Sequence, residues 1–401
     1  MRIVVAPDSF KGSITADDAA RALAHGWLAC RPGDDIRLLP LADGGEGTVD
    51  AFAAALPGAE RRTVAVPGPD GRPVDAAWLL LPDGGAVLEL AQSSGLPLMA
   101  APDPLGAHTY GLGMVARAAL DAGATRLVIG LGGSASTDGG TGALRALGLR
   151  LRDVQGRELP LGGAALTDLA EIDVTDLLPA PPGGVQVLVD VTAPLTGPAG
   201  AATVYGPQKG AAPADVTLLD AALRRLAGLA GGDPAESGAG AAGGTAYGLA
   251  ALWGARIVPG ATTIAALVGL ADALAGADVL LTGEGRFDET SLTGKVVGSL
   301  LAAGAGGARV GVAAGQVTGP VPGSVAAVSL VELAGSVDAA LHYPARWLTE
   351  AGAVLAGRLG AGRVPAVGCQ MPDRCPAGIR SSGRQIAVPG GDFSSDAASA
   401  G

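Results

Sequence analysis

The chain has 401 residues, 48% of them hydrophobic, and its 27 basic and 38 acidic side chains give a formal net charge of −11. With only 3% aromatic residues, it lacks the cationic surface and the stacking side chains that would favour nucleic acid or an anionic membrane as a partner. No uninterrupted apolar segment reaches the length of a membrane span. The 3 cysteines are scattered and suit neither a disulfide framework nor a zinc site. We therefore expect a cytoplasmic protein that acts on small molecules.

The first predicted strand leads into a polar loop. Residues 3–6 form a short apolar run, and Asp8 and Lys11 follow it closely. Thr15 then precedes a segment with acidic residues in its first turn, which predicts a capped helix over residues 15–30. Because ligands of parallel α/β sheets bind at the carboxyl ends of the strands, Asp8 and Lys11 are candidate functional residues rather than ordinary surface charges.

A second strand, predicted over residues 36–41, also ends in a polar loop that opens a helix. Asp43, Gly44, Gly45 and Glu46 occupy this loop. Two carboxylates among glycines are costly unless a cation or a substrate hydroxyl compensates them. The loop is therefore a second candidate for ligand binding.

Residues 61–90 change the character of the chain. Short apolar runs are separated there by Pro-Gly-Pro-Asp-Gly and Pro-Asp-Gly-Gly, which are turn sequences typical of antiparallel hairpins. This pattern predicts the start of a second domain, inserted into the first. A helix over residues 111–122 and a strand over residues 185–189, which leads to Asp190, are predicted to continue it.

The inserted domain contains a long glycine-rich loop between a predicted strand, residues 127–129, and a predicted helix, residues 141–147. The loop combines glycines with hydroxyl and carboxylate side chains: Gly132, Gly133, Ser134, Ser136, Asp138 and Gly139. Glycines allow a backbone to approach a ligand closely, and backbone N–H groups at a helix N-terminus attract anions. The loop is therefore a candidate phosphate site.

The same loop has a second interpretation. Residues 130–135 fit the pattern GxGxxA, and Asp153 follows at roughly the distance of a ribose-binding acid in a dinucleotide fold. With 66 glycines in the chain, such a match arises easily by chance. The residues of the loop alone leave a generic strand-to-helix turn, a phosphate site and a nicotinamide site open.

The strands predicted at residues 309–313 and 325–330 are expected to return to the first sheet, whereas the strand predicted at residues 278–281 is assigned to the inserted domain. Apolar runs at residues 278–281, 309–313 and 325–330 have the composition of buried strands. After residue 362 the sequence shows neither helical nor strand periodicity. Residues 363–401 are therefore predicted to be a disordered or aberrant tail.

Six stretches carry a resemblance to a known family: PDSFKG, ADGGEGT, GGSASTDGG, DVTAPLTGPAGAATVYGPQKG, GAGAAGG and TGEGRFDETSLTGK. In this order they resemble the successive motifs of the bacterial glycerate kinase family, type I group. The resemblance covers residues 1–360 and is far more specific than any single motif. It implies ATP-dependent phosphorylation of D-glycerate by a protein of two α/β domains, with the active site in the cleft between them.

The motifs also supply candidate site residues. The catalytic candidates are Asp8, Lys11, Asp43, Asp190 and Asp288, and the metal ligands for Mg²⁺ bound with ATP are expected among Asp43, Asp190 and Asp288. Substrate and phosphate contacts are expected from Ser9, Gly44, Gly45, Glu46, Gly132, Gly133, Ser134, Ser136, Asp138, Gly139, Gln208, Lys209, Gly283, Glu284, Gly285, Arg286 and Lys295. Which aspartate is the base stays open. The chain departs from the family pattern at Thr290, where glutamine is common.

The predicted fold is α/β, with a Rossmann- or flavodoxin-like parallel sheet built from residues 1–60 and 290–362 and an inserted mixed-sheet domain over residues 61–289. Phosphorylation giving 2-phosphoglycerate is favoured over 3-phosphoglycerate by the resemblance. An NAD(P)-dependent oxidoreductase and a non-catalytic ligand-binding protein are kept as alternatives. The oligomeric state is left open, with a homodimer among the options.

Overall fold

The computed structural model describes residues 1–292, 296–302 and 307–360, together with a short antiparallel pair of strands, Arg380–Ser381 and Arg384–Gln385. The rest of the predicted tail and Lys295 lie outside the described residues. The helices are Ala16–Cys30, Thr48–Ala55, Ala91–Ser94, Tyr110–Asp121, Thr141–Ala146, Ala201–Tyr205, Pro213–Ala230, Ala241–Trp253, Gly260–Leu267, Leu270–Leu274, Val296–Ala302, Leu330–Ala334, Val337–His342 and Pro344–Leu359. None of the helices in these ranges combines the length and hydropathy of a membrane span.

One sheet has five parallel strands, in the spatial order Val325–Ser329, Arg309–Val317, Val279–Phe287, Arg2–Val5 and Asp35–Leu38. This is the doubly wound order of a flavodoxin-like sheet, in which ligands bind where the strand order reverses. That point lies between the first strand and the strand Val279–Phe287. The predicted return of the C-terminal strands to this sheet is confirmed.

The predicted domain boundary at residue 289 is wrong by one strand. Val279–Phe287 belongs to the five-stranded sheet, where Val279 pairs with Ile3 and with Arg309. The strand is also longer than predicted, because its partner Arg309–Val317 has the same length of nine residues and continues the pairing to Phe287. The other predicted domain limits stay predictions.

The second sheet is mixed and has six strands, in the order Arg256–Val258, Val185–Leu188, Arg126–Gly130, Gly85–Glu89, Pro73–Leu80 and Glu60–Pro67. The last two strands pair antiparallel, as the turn sequences predicted, and the first four pair parallel. A separate small hairpin joins Arg150–Arg152 to Glu171–Asp173. The predicted fold of two α/β units is confirmed.

A continuous apolar core joins the two sheets. It contains Val4 and Leu280 from the five-stranded sheet and Val87 from the mixed sheet, together with Phe52 and Ile264 from two helices. Phe52 and Ile264 are fully buried. Because a large apolar interface opposes movement between domains, the sheets hold their loops in a fixed relation to each other.

Candidate active site

An ion pair marks the place where the loops of the first two strands meet. Lys11 Nζ donates to Asp43 Oδ2 at 3.1 Å, and Asp43 Oδ1 accepts from the backbone N–H of Gly45 at 2.9 Å. Burial opposes the charge of Lys11, but the carboxylates of Asp43, Asp8 and Glu46 together raise its pKa. Two cavities, of about 380 and 420 Å³, adjoin this pair, and Lys11 and Asp43 line both.

The first cavity lies at the carboxyl edge of the five-stranded sheet, where its strand order reverses. Its polar side contains the predicted residues Asp8, Ser9, Glu284, Gly285 and Arg286, in addition to the ion pair. Its apolar side is formed by Leu330, Val331, Val337, Ala340, Leu341 and Pro344. A cavity with one charged and one aliphatic side suits a ligand that is itself polar at one end and flat and weakly polar at the other.

Asp8 is the buried acid of the first cavity. The residue is 6% exposed, and Oδ1 accepts from the N–H of Ser9 at 2.6 Å. Burial and, to a smaller extent, the nearby Asp43 carboxylate raise the pKa of Asp8 to about 7. Two carboxylates that repel each other in a cavity form an environment that a cation would relieve.

The second cavity lies in the cleft between the sheets. Gly44, Gly45 and Glu46 line it from one side, and the predicted residues Gly132, Gly133, Ser134, Asp190, Gln208 and Lys209 line it from the other. The sequence did not single out Leu96, Pro97 and Tyr205, which also line this cavity. Ala242, which lies within the motif GAGAAGG, lines it as well and adopts a positive φ of 53°, so this stretch is a defined turn in the cleft.

Lys209 is an enclosed cation on the wall of the second cavity. It is 3% exposed, and its Nζ donates to Ser134 Oγ at 2.9 Å and to the carbonyl oxygen of Ser136 at 2.5 Å. Burial lowers the pKa of Lys209 to about 8, although the negative charge of Asp138 opposes this. The amine is therefore partly neutral in mildly alkaline solution.

Asp190 follows the strand Val185–Leu188, as predicted, and borders the same cavity. Its oxygens accept from the N–H groups of Gly260 at 2.7 Å and Ala261 at 2.9 Å, at the start of a helix. Burial raises the pKa of Asp190 to about 6, although these two hydrogen bonds lower it. A carboxylate oxygen has more than one acceptor position, so Asp190 can still take a proton from a ligand.

The glycines of the two loops also permit a contact that the sequence analysis did not predict. Gly132 N–H donates to Gly44 O at 3.2 Å, and a Cβ added at Gly132 would lie 2.3 Å from Gly45 Cα. A Cβ at Gly130 would lie 2.8 Å from Gly44 O. The glycines thus allow the backbones of the two domains to touch, which places both loops on one cavity.

Three residues predicted to bind phosphate lie away from the cavities. Asp138 is fully buried, and its carboxylate accepts from the N–H groups of Thr109, Gly140 and Gly142. The N–H groups at this helix N-terminus have no partner within the helix, and the Asp138 carboxylate accepts from them. They are therefore not available to bind the anion that the sequence predicted there. Ser136 and Gly139 belong to the same buried turn, and neither is among the cavity-lining residues.

Asp288 and Gly283 are also not among the lining residues of either cavity. Asp288 Oδ2 lies 3.5 Å from Arg286 Nε, beyond the end of the strand Val279–Phe287. Gly283 lies inside that strand, paired with Ala313. Asp288 lies next to Arg286, which lines the first cavity, and its convergence with Asp43 and Asp190 on the active-site cleft stays a prediction.

The three predicted metal ligands do not form a common cluster. Within residues 1–292, 296–302 and 307–360, no group of three acidic, histidine or cysteine side chains is placed to hold a metal ion. Mg²⁺ in nucleotide enzymes is usually held by one or two carboxylates together with phosphate oxygens. Asp8 and Asp43, whose charges act on each other in the first cavity, fit that smaller donor set.

Glu89 is a functional candidate that the sequence interpretation missed. It ends the strand Gly85–Glu89, is 2% exposed, and accepts from the N–H groups of Gly47 and Val49, each at 3.1 Å. Burial raises the pKa of Glu89 to about 7, against the effect of these hydrogen bonds. Glu89 ties the mixed sheet to the loop that carries Asp43. The sequence pattern that could have identified Glu89 is an acidic residue at the end of an otherwise apolar strand.

Glu89→Gln is expected to lower stability by about 1–3 kcal/mol, because the amide accepts through one oxygen and leaves a buried N–H without its acceptor. We expect kcat to fall about tenfold as the loop of Asp43 loosens. Urea unfolding and steady-state kinetics measure the two effects. Glu158→Gln, at a half-exposed glutamate that pairs with Arg145, is the control. Unchanged kinetics in Glu89→Gln would show that the loop holds its position without this carboxylate.

The dinucleotide interpretation finds no support in the position of Asp153. Its carboxylate accepts from the N–H groups of Gln155 and Arg157 and pairs with the Arg157 guanidinium at 2.8 Å. These bonds close a surface turn after the strand Arg150–Arg152. Asp153 is not among the lining residues of the two cavities, so it does not act as the ribose acid of that pattern.

Two α/β units that bring the ends of their parallel strands to one polar cleft define a two-domain α/β enzyme. A sequence model of the glycerate kinase family matches residues 3–359. The chain belongs to the glycerate kinase family, as the six motifs indicated.

Curated relatives and a solved structure agree with this family. The chain is 44% identical over 304 residues to a glycerate kinase of Bacillus subtilis (strain 168), covering 74% of this chain and 79% of the relative. It is 42% identical over 305 residues to a glycerate 2-kinase of Escherichia coli (strain K12), covering 74% and 80%. A crystal structure from Salmonella typhimurium LT2, provisionally named glycerate kinase 2, matches with a TM-score of 0.75 and 38% identity over 90% of this chain and 99% of that one.

Proposed function

We propose that the protein transfers the γ-phosphoryl group of ATP, bound with Mg²⁺, to D-glycerate and forms 2-phosphoglycerate. Family membership supports glycerate as the acceptor, and the name of the Escherichia coli relative, a glycerate 2-kinase, favours the 2-hydroxyl. The observation that carries the proposal is that one ion pair, Lys11 with Asp43, lines both cavities. Donor and acceptor can therefore meet at this pair.

The nucleotide is assigned to the first cavity. In doubly wound sheets, nucleotides bind at the carboxyl edge where the strand order reverses, which is the position of this cavity. The aliphatic side, which includes Leu330 and Val337, suits a base, and Arg286 and Lys11 supply cations for the phosphates. Asp8 and Asp43 would hold Mg²⁺, which when bound neutralises charge on the phosphate oxygens.

The acceptor is assigned to the second cavity. A hydroxyl oxygen of glycerate would form the new bond to the γ-phosphorus as the bond from that phosphorus to the β–γ bridging oxygen breaks and ADP leaves. The hydroxyl proton would pass to the Asp190 carboxylate, whose pKa is raised to about 6 and therefore suits a base in neutral solution. Lys11 would stabilise the charge between the two substrates.

Release of ADP from ATP tests the function. We expect turnover with D-glycerate and little or none with glycolate, lactate and tartronate at equal concentration. Coupling the product directly to enolase distinguishes the isomers, since enolase accepts 2-phosphoglycerate only. Equal rates with all four acids would overturn the glycerate assignment, and a product that needs phosphoglycerate mutase before enolase would overturn the choice of hydroxyl.

Arg286→Ala tests the placement of the nucleotide. We expect KM for ATP to rise about tenfold and KM for glycerate to stay unchanged. Tenfold is at the lower end of the range for a charge-assisted hydrogen bond, because the Arg286 side chain is exposed. Arg224→Ala is the matched control, since Arg224 also pairs with an aspartate and is similarly exposed, at 57% against 63%. A rise in KM for glycerate alone would contradict this placement and would assign glycerate to the first cavity and the nucleotide to the second.

A further inference from the structure

Lys209 is a cation for which the described chain supplies no ion-pair partner. Its Nζ has two neutral oxygen acceptors, Ser134 Oγ and Ser136 O, and the one charge that acts on it noticeably is Asp138. Holding an ammonium group in an enclosed site without an anion is costly. A cavity bordered by such a group is suited to bring in the missing anion with its ligand.

The number of N–H groups limits the kind of anion. An ammonium group has three donors, and two of the donors of Lys209 already have acceptors within the protein. One donor remains, which matches a single carboxylate oxygen better than a polyphosphate. Gln208 and Tyr205, which are neutral and polar, border the same cavity and can bind the hydroxyl groups of a small ligand.

We propose that Lys209 Nζ binds the carboxylate of the acceptor and so determines the preference for a carboxylate over a hydroxymethyl group at that position. This inference rests on the proposed function and adds the residue that recognises the carboxylate. Lys209 binds substrate in this arrangement and takes no proton in the reaction.

The titration of Lys209 adds a dependence on pH. The charged groups facing it are Asp138 behind it and, across the cavity, Lys11, Asp43, Glu46 and Asp190, with Tyr205 as a neutral titratable neighbour. The pKa of Lys209 is lowered to about 8, so the cation is present below that pH and is lost as the pH rises through it. The kcat/KM for glycerate is therefore expected to fall above pH 8, while KM for ATP stays constant.

Lys209→Met tests the inference in the full-length protein. We expect the KM for glycerate to rise about 30- to 100-fold, the range of a hydrogen bond to a charged group, with KM for ATP changed less than about twofold. Calorimetric titration with glycerate in the absence of nucleotide should show the same loss. Arg145→Met removes a largely buried cation of the same domain that bonds to Pro160 O and should leave both KM values unchanged.

Two measurements on the unaltered protein keep the inference testable if Lys209→Met does not fold. Glycerol, in which a hydroxymethyl group replaces the carboxylate, should react at least about 100-fold less efficiently than glycerate, and the alkaline fall in kcat/KM should be present for glycerate. Comparable use of glycerol, or a rise in KM for ATP in place of glycerate, would overturn the inference. If glycerate causes no ADP release, the proposed function fails, whereas calorimetric binding of glycerate still decides the role of Lys209.

Discussion

Asp43→Asn is expected to lower kcat by about 10²-fold or more, because the substitution removes the negative charge from the ion pair between the two proposed substrates. The amide keeps the size of the side chain, and its oxygen can still accept from the N–H of Gly45, which lies 2.9 Å from Asp43 Oδ1. The fold should therefore persist. ADP release at saturating substrates measures kcat, and thermal unfolding checks the fold.

The chain contains a matched control for this substitution. Asp83 begins a second Asp-Gly-Gly turn, in which Oδ1 accepts from the N–H of Gly85 at 3.0 Å and Oδ2 pairs with Arg126 at 2.8 Å. Asp83→Asn thus removes the same charge from the same turn, but away from both cavities. We expect its kcat to be unchanged. Equal losses in the two variants would mean that the turn, and not the charge of Asp43, matters for turnover.

Gly132→Ala is expected to disturb the contact between the two domains. The new Cβ would lie 2.3 Å from Gly45 Cα, where only backbone is available to move. Such overpacking costs about 1–3 kcal/mol of stability, and a shift of the Asp43 loop by about 1 Å would lower kcat by up to about 10²-fold. Denaturant unfolding and kinetics should show both losses together.

Gly228→Ala provides the comparison. Gly228 lies on the helix Pro213–Ala230, and a Cβ there meets no atom within 4 Å. Alanine favours a helix by up to about 1 kcal/mol relative to glycine, so this variant should be as stable as the parent or slightly more stable, with unchanged kcat. If Gly132→Ala behaves in the same way, the close approach of the two loops has no part in catalysis.

Much of the site follows from the rule that ligand loops leave the carboxyl ends of parallel strands. Asp8, Lys11, Asp43 and Asp190 were chosen on that basis, and each lines a cavity. The family was predicted from the order of six motifs, and the match over residues 3–359 confirms it. The local sequence sufficed here because a strand followed by a polar loop has the same meaning in any doubly wound sheet.

The remaining errors arise from contacts between distant parts of the chain. Asp138 has the composition of a ligand loop, but Thr109 supplies donors from 29 residues away and turns the carboxylate inward. Glu89 was overlooked because its partners, Gly47 and Val49, lie 42 and 40 residues earlier. The strand before Asp288 is longer than predicted, because its length depends on pairing with Arg309–Val317. None of these pairings is visible in a local pattern.

The position of the first strand has a consequence for synthesis on the ribosome. Arg2–Val5 lies inside the five-stranded sheet, and one of its two neighbours is Val279–Phe287. Because synthesis proceeds at about 5–20 residues per second, that neighbour is synthesised on the order of 15–55 s after the first strand. The mixed sheet is contiguous from Glu60 to Val258 and can form during this interval. The cleft is then completed last, when the late strands join a sheet that began at the N-terminus.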